Sequence, residues 1–580
     1  MVETKVVWLP WGKRAFQKAS ELDKPILLAI SAVWCHWCHV MDRTTYSDKE
    51  VAELIQEKYV PIRVDRDKRP DVDKRYNMGG WPTTAFLTPK GEVITGATYI
   101  PPQQMKPLLQ RISRFYKKNK IEAQLKELAE GEKKAPPLEH RLDHEFFQSI
   151  VDNLTLEIAS SFDSLHGGFG NAPKFPHSEA LALALLEYHI QEHKALLNIV
   201  TKTLQKMSAG GIYDKEEGGF FRYSTTRDWS IPHYEKMCED NATMLINYLE
   251  TYQITGEESF KETAQEILSY VNANLSDQHK GGFYGSQDAD EEYYKLSRSE
   301  RRRKTSPRVD KTVYTNWNAM MVSAYLLASV VLKNMSYRQI ALQTVDLLLE
   351  KSYSSRGGMY HYYLNGKRQL PGLLSDQASM IRCLVDTYQS TSNRKFLTCA
   401  ENIAKFMLDN LWDNAGGFHD RAKNIQAFGA LKTLQKPVDE NSVAADAFLR
   451  LHHLTGKERY LDSARRTLEH FASSYQRYGM LAAAYGLAVE LYLHPVQIHI
   501  VGRKADPATS RFLDESLRVY NPLNVIEILD PTSDAERLAN LKYPAAKSPM
   551  AYICFKGTCT AVGDPKQIAK ISRPRKLEKG

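Results

Sequence analysis

The chain has 580 residues, of which 43% are hydrophobic, 25% charged and 10% aromatic, ordinary globular values that exclude a disordered, collagen-like or disulfide-scaffold protein. The formal net charge of +8 sits in two segments, 295–311 with eight Lys/Arg against two acids and 566–580 with six against one, so the body is near neutral and no nucleic acid is expected as a partner. No apolar run reaches the roughly 20 residues of a membrane span, residues 1–11 lack the pattern of a secretory signal, and seven cysteines are too sparse for a disulfide framework, so the expected protein is cytoplasmic and binds no membrane.

In chain order, 24–31 is a short apolar run suited to a buried strand, and it leads into Cys35-His36-Trp37-Cys38 at the expected start of a helix. A helical stretch at 48–58 and a strand at 59–65 follow. Trp81-Pro82 then precedes strands at 85–88 and 91–99. This order predicts an α/β domain over 1–118. Residues 119–140, rich in Lys and Glu and carrying Pro136-Pro137, read as a linker.

Beyond it, twelve amphipathic helical segments fit between 142 and 493. In one of them, 259–275, Phe260, Ala264, Ile267, Leu268, Val271 and Leu275 share a stripe. Gly-Gly followed by an aromatic or Met recurs at 167, 218, 281, 357 and 416, always after an odd-numbered helix. Six quasi-equivalent helix pairs predict a closed (α/α)6 toroid over 141–494, with the loops after the odd helices gathered at one mouth. From 496 the pattern changes to strand, helix, strand and a last strand at 551–555, a small α/β domain over 495–580. The fold class is thus multidomain α/β plus all-α.

Two thiols one helical turn apart can close a disulfide, and a helix N-terminus stabilises the first thiolate, bringing its pKa to roughly 3.5–7.5. Cys35 is the expected nucleophile and Cys38 the resolving thiol. Trp34, Trp81 and Pro82, the last a candidate cis-proline, are expected beside the pair as client-contacting residues. Three readings compete: the C-x-x-C-H haem-attachment string, a metal site from Cys35, His36, Cys38 and His39, and a thioredoxin-like domain whose cysteines do not turn over. No second Cys/His pair stands at metal spacing and no Walker or dinucleotide glycine string appears, so neither metal nor cofactor is expected.

In the toroid, the densest polar cluster runs Arg222, Asp228, Trp229, His233, Glu235, Lys236, Asp240 and Asn241, with a second at Asp288, Asp290 and Glu291. Sugar chemistry needs such a set: glycoside hydrolysis uses two carboxylates roughly 5–9.5 Å apart, and epimerisation beside a carbonyl needs an acid/base pair. His233 with Glu235, or Asp240 with Asp288, supplies either, Asp290 adds a carboxylate, and Arg222, Trp229, Asn241 and Trp317 are candidate ligand contacts. The competing reading has these residues capping loops at helix starts. His177, His361, His419 and the segment 439–442 are expected to be structural. Cys554 and Cys559 are either redox-linked or merely close in a hairpin, and Cys238, Cys383 and Cys399 read as small buried hydrophobes.

The stretch CHWCHVM, followed by VPIRVDRDKRPDVD and GGWPTTAFLTPKG, resembles the family of thioredoxin-domain proteins that includes spermatogenesis-associated protein and the bacterial YyaL-like proteins. Asn171-Ala172-Pro173-Lys174-Phe175-Pro176, Arg222-Tyr223-Ser224, the run 232–237, Asp288-Ala289-Asp290 and Trp317-Asn318 extend the resemblance over nearly the whole chain. It implies a thioredoxin-like domain joined to a barrel similar to those of sugar epimerases and six-hairpin glycosidases. Three departures stand out: Val33-Trp34 looks like a true thioredoxin Trp-Cys approach, the segment between Asp73 and Gly79 is short for the helix expected there, and the basic stretch 295–311 is unlike its counterpart. That stretch is expected to draw an anionic ligand to the mouth.

The expected function is thiol-disulfide exchange, with a client protein or thiol donor as partner at the CxxC, joined to a barrel that binds a carbohydrate-like small molecule. The alternatives are a carbohydrate-active enzyme, epimerase or glycosidase, with a structural or regulatory thioredoxin-like domain, and a non-catalytic binding protein.

Overall fold

The structure, a computed structural model, describes residues 6–118, 142–277, 279–544 and 548–571. The linker expected at 119–140 and the end of the basic tail, 572–580, lie outside the described residues. The chain divides into two compact units: the first holds the N-terminal residues together with Asp288–Glu291 and Lys423–Gln435, and the second holds the rest.

In the first unit the apolar runs become a five-stranded sheet of β1 (Leu9–Pro10), β2 (Ile26–Ser31), β3 (Val60–Asp65), β4 (Thr83–Leu87) and β5 (Val93–Ala97), in the order β1-β3-β2-β4-β5. β3 runs parallel to β1 and β2, while β4 is antiparallel to β2 and β5 is antiparallel to β4. Side chains alternate across a strand, and β2 shows why its sequence is apolar throughout. Ile26, Leu28 and Ile30 enter a core with Phe16 and Ala19 of α1 (Lys13–Glu21), whereas Leu27 and Ala29 enter another with Ile55 of α3 (Lys49–Lys58) and Leu109 of α5 (Pro102–Lys118). α2 (His36–Thr44) starts just after the C-terminal end of β2.

The short segment that made a helix doubtful does form one, α4 (Pro70–Tyr76), because Pro70 stands at its first position, where no N–H is needed. Its Tyr76 hydroxyl donates to Gly91 O at 2.7 Å and accepts from Ala430 N at 2.7 Å. Leu431 and Phe428 complete the Phe16 core, which is how 423–435 becomes part of this unit.

In the second unit twelve long helices of the described residues pair as outer and inner members. The outer ones are α6 (His144–Ser161), α8 (Lys194–Ala209), α10 (Glu258–Tyr270), α12 (Met335–Lys351), α14 (Arg394–Asn410) and α16 (Glu458–Phe471). Each leads to an inner one: α7 (Ser178–Gln191), α9 (Cys238–Thr255), α11 (Thr315–Val331), α13 (Leu374–Thr391), α15 (Val438–Thr455) and α17 (Ala483–Leu493). The inner helices contact one another in sequence, and α7 meets both α9 and α17, which closes the (α/α)6 ring. Inner helices are buried on several sides, as in α11, where Ala319, Ala324 and Ala328 pack with Met321, Val322 and Tyr325. The segment expected as one helix over 259–275 ends its α-helical part at Tyr270 and finishes as a π-helical turn, Val271–Leu275.

The repeated Gly-Gly is a backbone device. Gly218 and Gly219 have φ of 79° and 78°, Gly416 and Gly417 of 91° and 80°, a region that favours glycine. A Cβ on Gly416 would stand 2.5 Å from Arg466 O.

The C-terminal sheet comprises β6 (Val496–Val501), β7 (Asn524–Leu529), β8 (Met550–Phe555) and β9 (Thr558–Val562), in the order β7-β6-β8-β9, with α18 (Pro507–Arg518) packed on it. The strand expected to be last, β8, turns back as a hairpin into β9. This sheet falls in the same compact unit as the barrel.

Candidate functional site

β2 ends at Ser31, and a turn closed by Cys35 N donating to Ala32 O at 3.3 Å sets Cys35 at the N-cap of α2. Its Sγ accepts from Cys38 N at 3.2 Å, and the two cysteines form a disulfide with Cα atoms 5.2 Å apart. An N-cap sulfur faces the unpaired N–H groups and positive end of the helix, where a thiolate is stabilised. The Trp81-Pro82 peptide is cis.

Trp34 does not present a client surface. It is 1% exposed, donates from Nε1 to Asp67 Oδ2 at 2.6 Å and meets Trp81 edge-on at 5.9 Å, so it braces the site from below. Trp81, half-buried, donates to Asp73 Oδ1 at 2.8 Å and lies under the Arg66 guanidinium. The exposed aromatic within the motif is Trp37, 48% exposed and 5.3 Å from Tyr99, a residue left out of the expected contact set.

Asp288 and His39 come together inside the first unit, with His39 Nε2 3.3 Å from Asp288 Oδ2. The Asp288 carboxylate raises the His39 pKa above its ordinary value against the opposing effect of burial, and Asp42 and the Val33 backbone act in the same direction. Asp288 therefore serves the first turn of α2, and Asp290 near it is exposed.

In the second unit His233, Glu235 and Arg222 lie together. His233 Nδ1 lies 3.4 Å and an Arg222 nitrogen 3.8 Å from Glu235 Oε1. Burial raises the Glu235 pKa, but His233 and Arg222 outweigh it and hold the carboxyl below its usual range. Tyr223 stacks on His233 at 4.6 Å and on Phe175 at 4.7 Å, forming an aromatic ladder beside this trio.

Other candidates are occupied by structural work. Asn241 accepts from Phe220 N at 2.8 Å and donates to Phe220 O at 3.1 Å, a clasp repeated by Asn318 on Phe283, Gln377 on Met359 and Asn441 on Phe418. Trp229 is fully buried and donates to His166 O at 3.1 Å, and Trp317 is 4% exposed against Tyr314; neither offers a face to a sugar. Lys236 is buried between Asp214 and Gly218 O, repeating Lys174 with Asp163 and Lys436 with Asp413. Asp228 is held to about 2 by hydrogen bonds from Ser230 and Thr226 in a surface turn. Asp240 stands in the first turn of α9. In the basic stretch Arg301 is buried, bonded to Asp214 at 2.7 Å and Glu217 at 3.1 Å, so it balances local acids and does not face a ligand.

A cavity of about 300 Å³ runs between the inner helices, with Glu179 at the N-terminal end of α7, Glu250, Arg382, Asp386, Asp446 and Arg450 among its lining. Arg382 pairs with Asp386 and lies 2.9 Å from Asp446, whose carboxylate also meets Arg450 at 3.0 Å. Tyr520, Pro522 and Leu523 before β7 line the same cavity. Burial pushes Glu250 up to about 7 and raises Glu179. None of the candidate catalytic or ligand-contact residues chosen from the sequence lines this cavity, although Ser442 of the segment expected to be structural does. Its signal was present as Arg/Asp pairs at i,i+4 on otherwise apolar helices, 382/386 and 446/450.

The thioredoxin DsbH family model, described as a protein of unknown function, DUF255, matches residues 1–132. Spermatogenesis-associated protein 20 of Homo sapiens is 26% identical over 720 residues, covering 98% of this chain and 90% of that protein. An uncharacterized protein of Caenorhabditis elegans is 30% identical over 532 residues, covering 79% of this chain and 70% of that one. Among solved structures, cellobiose 2-epimerase from Spirochaeta thermophila aligns with 60% of this chain and 97% of its own at 15% identity and a TM-score of 0.49.

Proposed function

The chain belongs to the family of thioredoxin-domain proteins that includes spermatogenesis-associated protein 20, and from that premise we propose that it is a cytoplasmic thiol-disulfide oxidoreductase acting through Cys35 and Cys38. The observation that carries this reading is Cys35 at the N-cap of α2, its sulfur bonded to Cys38 and accepting from the Cys38 N–H. In the reduced state the Cys35 thiolate attacks a client disulfide, forming a mixed disulfide and releasing one client thiolate. Cys38 then attacks the Cys35 sulfur, the second client thiolate leaves, and the Cys35–Cys38 disulfide carries the two electrons' worth of oxidation. Trp37, exposed beside the pair, supplies an apolar client contact. Insulin-type disulfide reduction by the full chain tests it: Cys35→Ser should remove the activity, and an unchanged rate in that variant overturns the assignment.

The barrel supports a second part of the reading, a small polar, carbohydrate-like ligand. Two observations favour it: the His233–Glu235–Arg222 trio beside stacked Tyr223 and Phe175, and the charged cavity between the inner helices. Calorimetry with a panel of mono- and oligosaccharides, alongside epimerase and glycosidase assays, tests it with His233→Ala and Arg382→Met as probes. Loss of binding in Arg382→Met alone assigns the ligand to the cavity, loss in His233→Ala alone to the mouth, and absence of binding across the panel removes the reading.

A further inference from the structure

Cys554 and Cys559 face each other directly across the β8–β9 hairpin and form a disulfide on the edge strand of the C-terminal sheet. Cys559 is exposed and Cys554 is 9% exposed, so an incoming sulfur reaches the former and not the latter. The Tyr543 hydroxyl lies 3.0 Å from Cys554 Sγ and 3.6 Å from Cys559 Sγ. Disulfide sulfurs carry no proton, so in this state the hydroxyl is the donor.

The donors and acceptors behind it follow from that assignment. With its proton directed to sulfur, the Tyr543 oxygen accepts from His499 Nδ1, 2.8 Å away. His499 is 2% exposed, and burial together with Arg537 lowers its pKa to about 4, so the ring is neutral and its single proton sits on Nδ1. The bare Nε2 faces Glu527 Oε1 at 3.4 Å, and Arg537 lies 3.0 Å from the same oxygen. Burial raises Glu527 to about 7, so a carboxyl proton is available there at neutral pH. Stacking on Tyr552 at 4.2 Å fixes the Tyr543 ring. A buried polar chain thus terminates on a neutral disulfide, a weak acceptor, although a hydrogen bond to an ionised acceptor is roughly twice as strong as a neutral one. The chain is matched to a Cys554 thiolate better than to the disulfide.

We propose that Cys554–Cys559 is a second thiol-disulfide exchange site, in which a dithiol reductant attacks Cys559 and Cys554 is the leaving thiolate held by Tyr543. The reductant's first thiolate forms a bond to Cys559 Sγ as the Cys559–Cys554 bond breaks. The electron pair stays on Cys554 Sγ as a thiolate, to which the Tyr543 hydroxyl donates a hydrogen bond while His499 Nδ1–H donates to the Tyr543 oxygen. The reductant's second thiolate then closes on the first, expelling Cys559. One dithiol, attacking as thiolates that have given their protons to solvent, has become a disulfide, and its two electrons reside on the Cys554 and Cys559 sulfurs, which regain protons from solvent. A leaving thiol of lowered pKa departs faster, which is the service Tyr543 provides as a positioning residue.

The site stands apart from the Cys35 reading, and the test separates them by using the full chain with Cys35→Ser and Cys38→Ser. That protein is exposed to graded dithiothreitol, alkylated at intervals and mapped by mass spectrometry, with far-UV circular dichroism confirming the fold. The expected result is alkylation of Cys559, ahead of Cys554, in folded protein, slowed about tenfold by Tyr543→Phe. With glutathione disulfide, Cys554→Ala should accumulate a mixed disulfide at Cys559, whereas Cys559→Ala should leave Cys554 largely unmodified. Reduction only on unfolding, an unchanged rate in Tyr543→Phe, or modification of Cys554 in preference to Cys559 overturns the proposal.

Discussion

His39 puts a titratable charge in the first turn of α2 that depends on Asp288, a carboxylate from far along the chain. Because Asp288 raises the imidazole pKa, the protonated form is favoured in the fold. The pair's stabilising effect is complete below the unfolded value of about 6.5 and is lost as pH rises through the raised folded value. While protonated, His39 adds to the helix N-terminus a second positive influence on a Cys35 thiolate. Asp288→Asn should therefore move the His39 titration, followed by NMR, to lower pH. It should slow client exchange near pH 6.5 and leave it unchanged near pH 9, where the imidazole is neutral in both proteins. An unmoved His39 titration would remove the pair from the mechanism. At this scale the dithiol was legible because its chemistry is encoded in a spacing of three residues. His39–Asp288 was not, since no local pattern joins two positions that meet only through tertiary structure. Trp34 and Trp37 illustrate the same limit: the sequence names two tryptophans, and only the packing of Asp67 and Trp81 decides which is buried.

Between residue and molecule, the barrel is built on one repeated joint. At 218, 281 and 416 its parts are an Asp-turn, a Gly-Gly at positive φ, a Phe, and an Asn at the next inner helix that takes both backbone groups of that Phe, while at 357 only Gly358 has positive φ and Gln377 clasps Met359. The joint fixes where each inner helix starts, and so where its first-turn side chains point. The twelve helices and the Gly-Gly loops were readable because periodicity and repetition are properties of local sequence. The clasping amides were read as ligand contacts at Asn241, since a polar side chain at a helix start looks alike whether it meets a ligand or a backbone. Asn441→Ala leaves Phe418 N–H and C=O buried without their partner, at about 1–3 kcal/mol for each unsatisfied group. Gly416→Ala sets a Cβ against Arg466 O in a left-handed backbone conformation and should cost more than about 1 kcal/mol. Asn393→Ala, which removes an exposed N-cap from α14, should cost only about 1 kcal/mol. Urea denaturation ranks them, and an Asn441→Ala cost no larger than that of Asn393→Ala would show that the clasp is not a structural joint.

The second unit is continuous from barrel to C-terminal sheet, and a few buried polar contacts make it so. Arg450 of α15 pairs with Asp446 and donates to Asn524 O at 2.9 Å and Pro522 O at 2.6 Å, while Gln389 of α13 accepts from Ile526 N in β7 at 2.7 Å. The segment before β7 also lines the inter-helix cavity, so the sheet takes part in shaping whatever binds there. Composition placed a boundary near 494 because the pattern changes from helix to strand, but pattern carries no information on which side chains cross a boundary. The same limit hid 423–435, whose Phe428 and Leu431 complete the core of the first unit. Arg450→Met keeps the volume but deletes the donors to 522 and 524 and leaves Asp446 with Arg382 alone. Breaking a buried charged network costs about 3–5 kcal/mol, so the melting temperature should fall by about 5 °C or more. Hydrogen exchange locates the effect. Faster exchange should appear at the C-terminal end of α15 and together with it across β7, which meets Arg450 only through the Asn524 carbonyl at its first residue. Faster exchange confined to α15 would mean that the sheet is held independently of the barrel and that the two fold as separate domains.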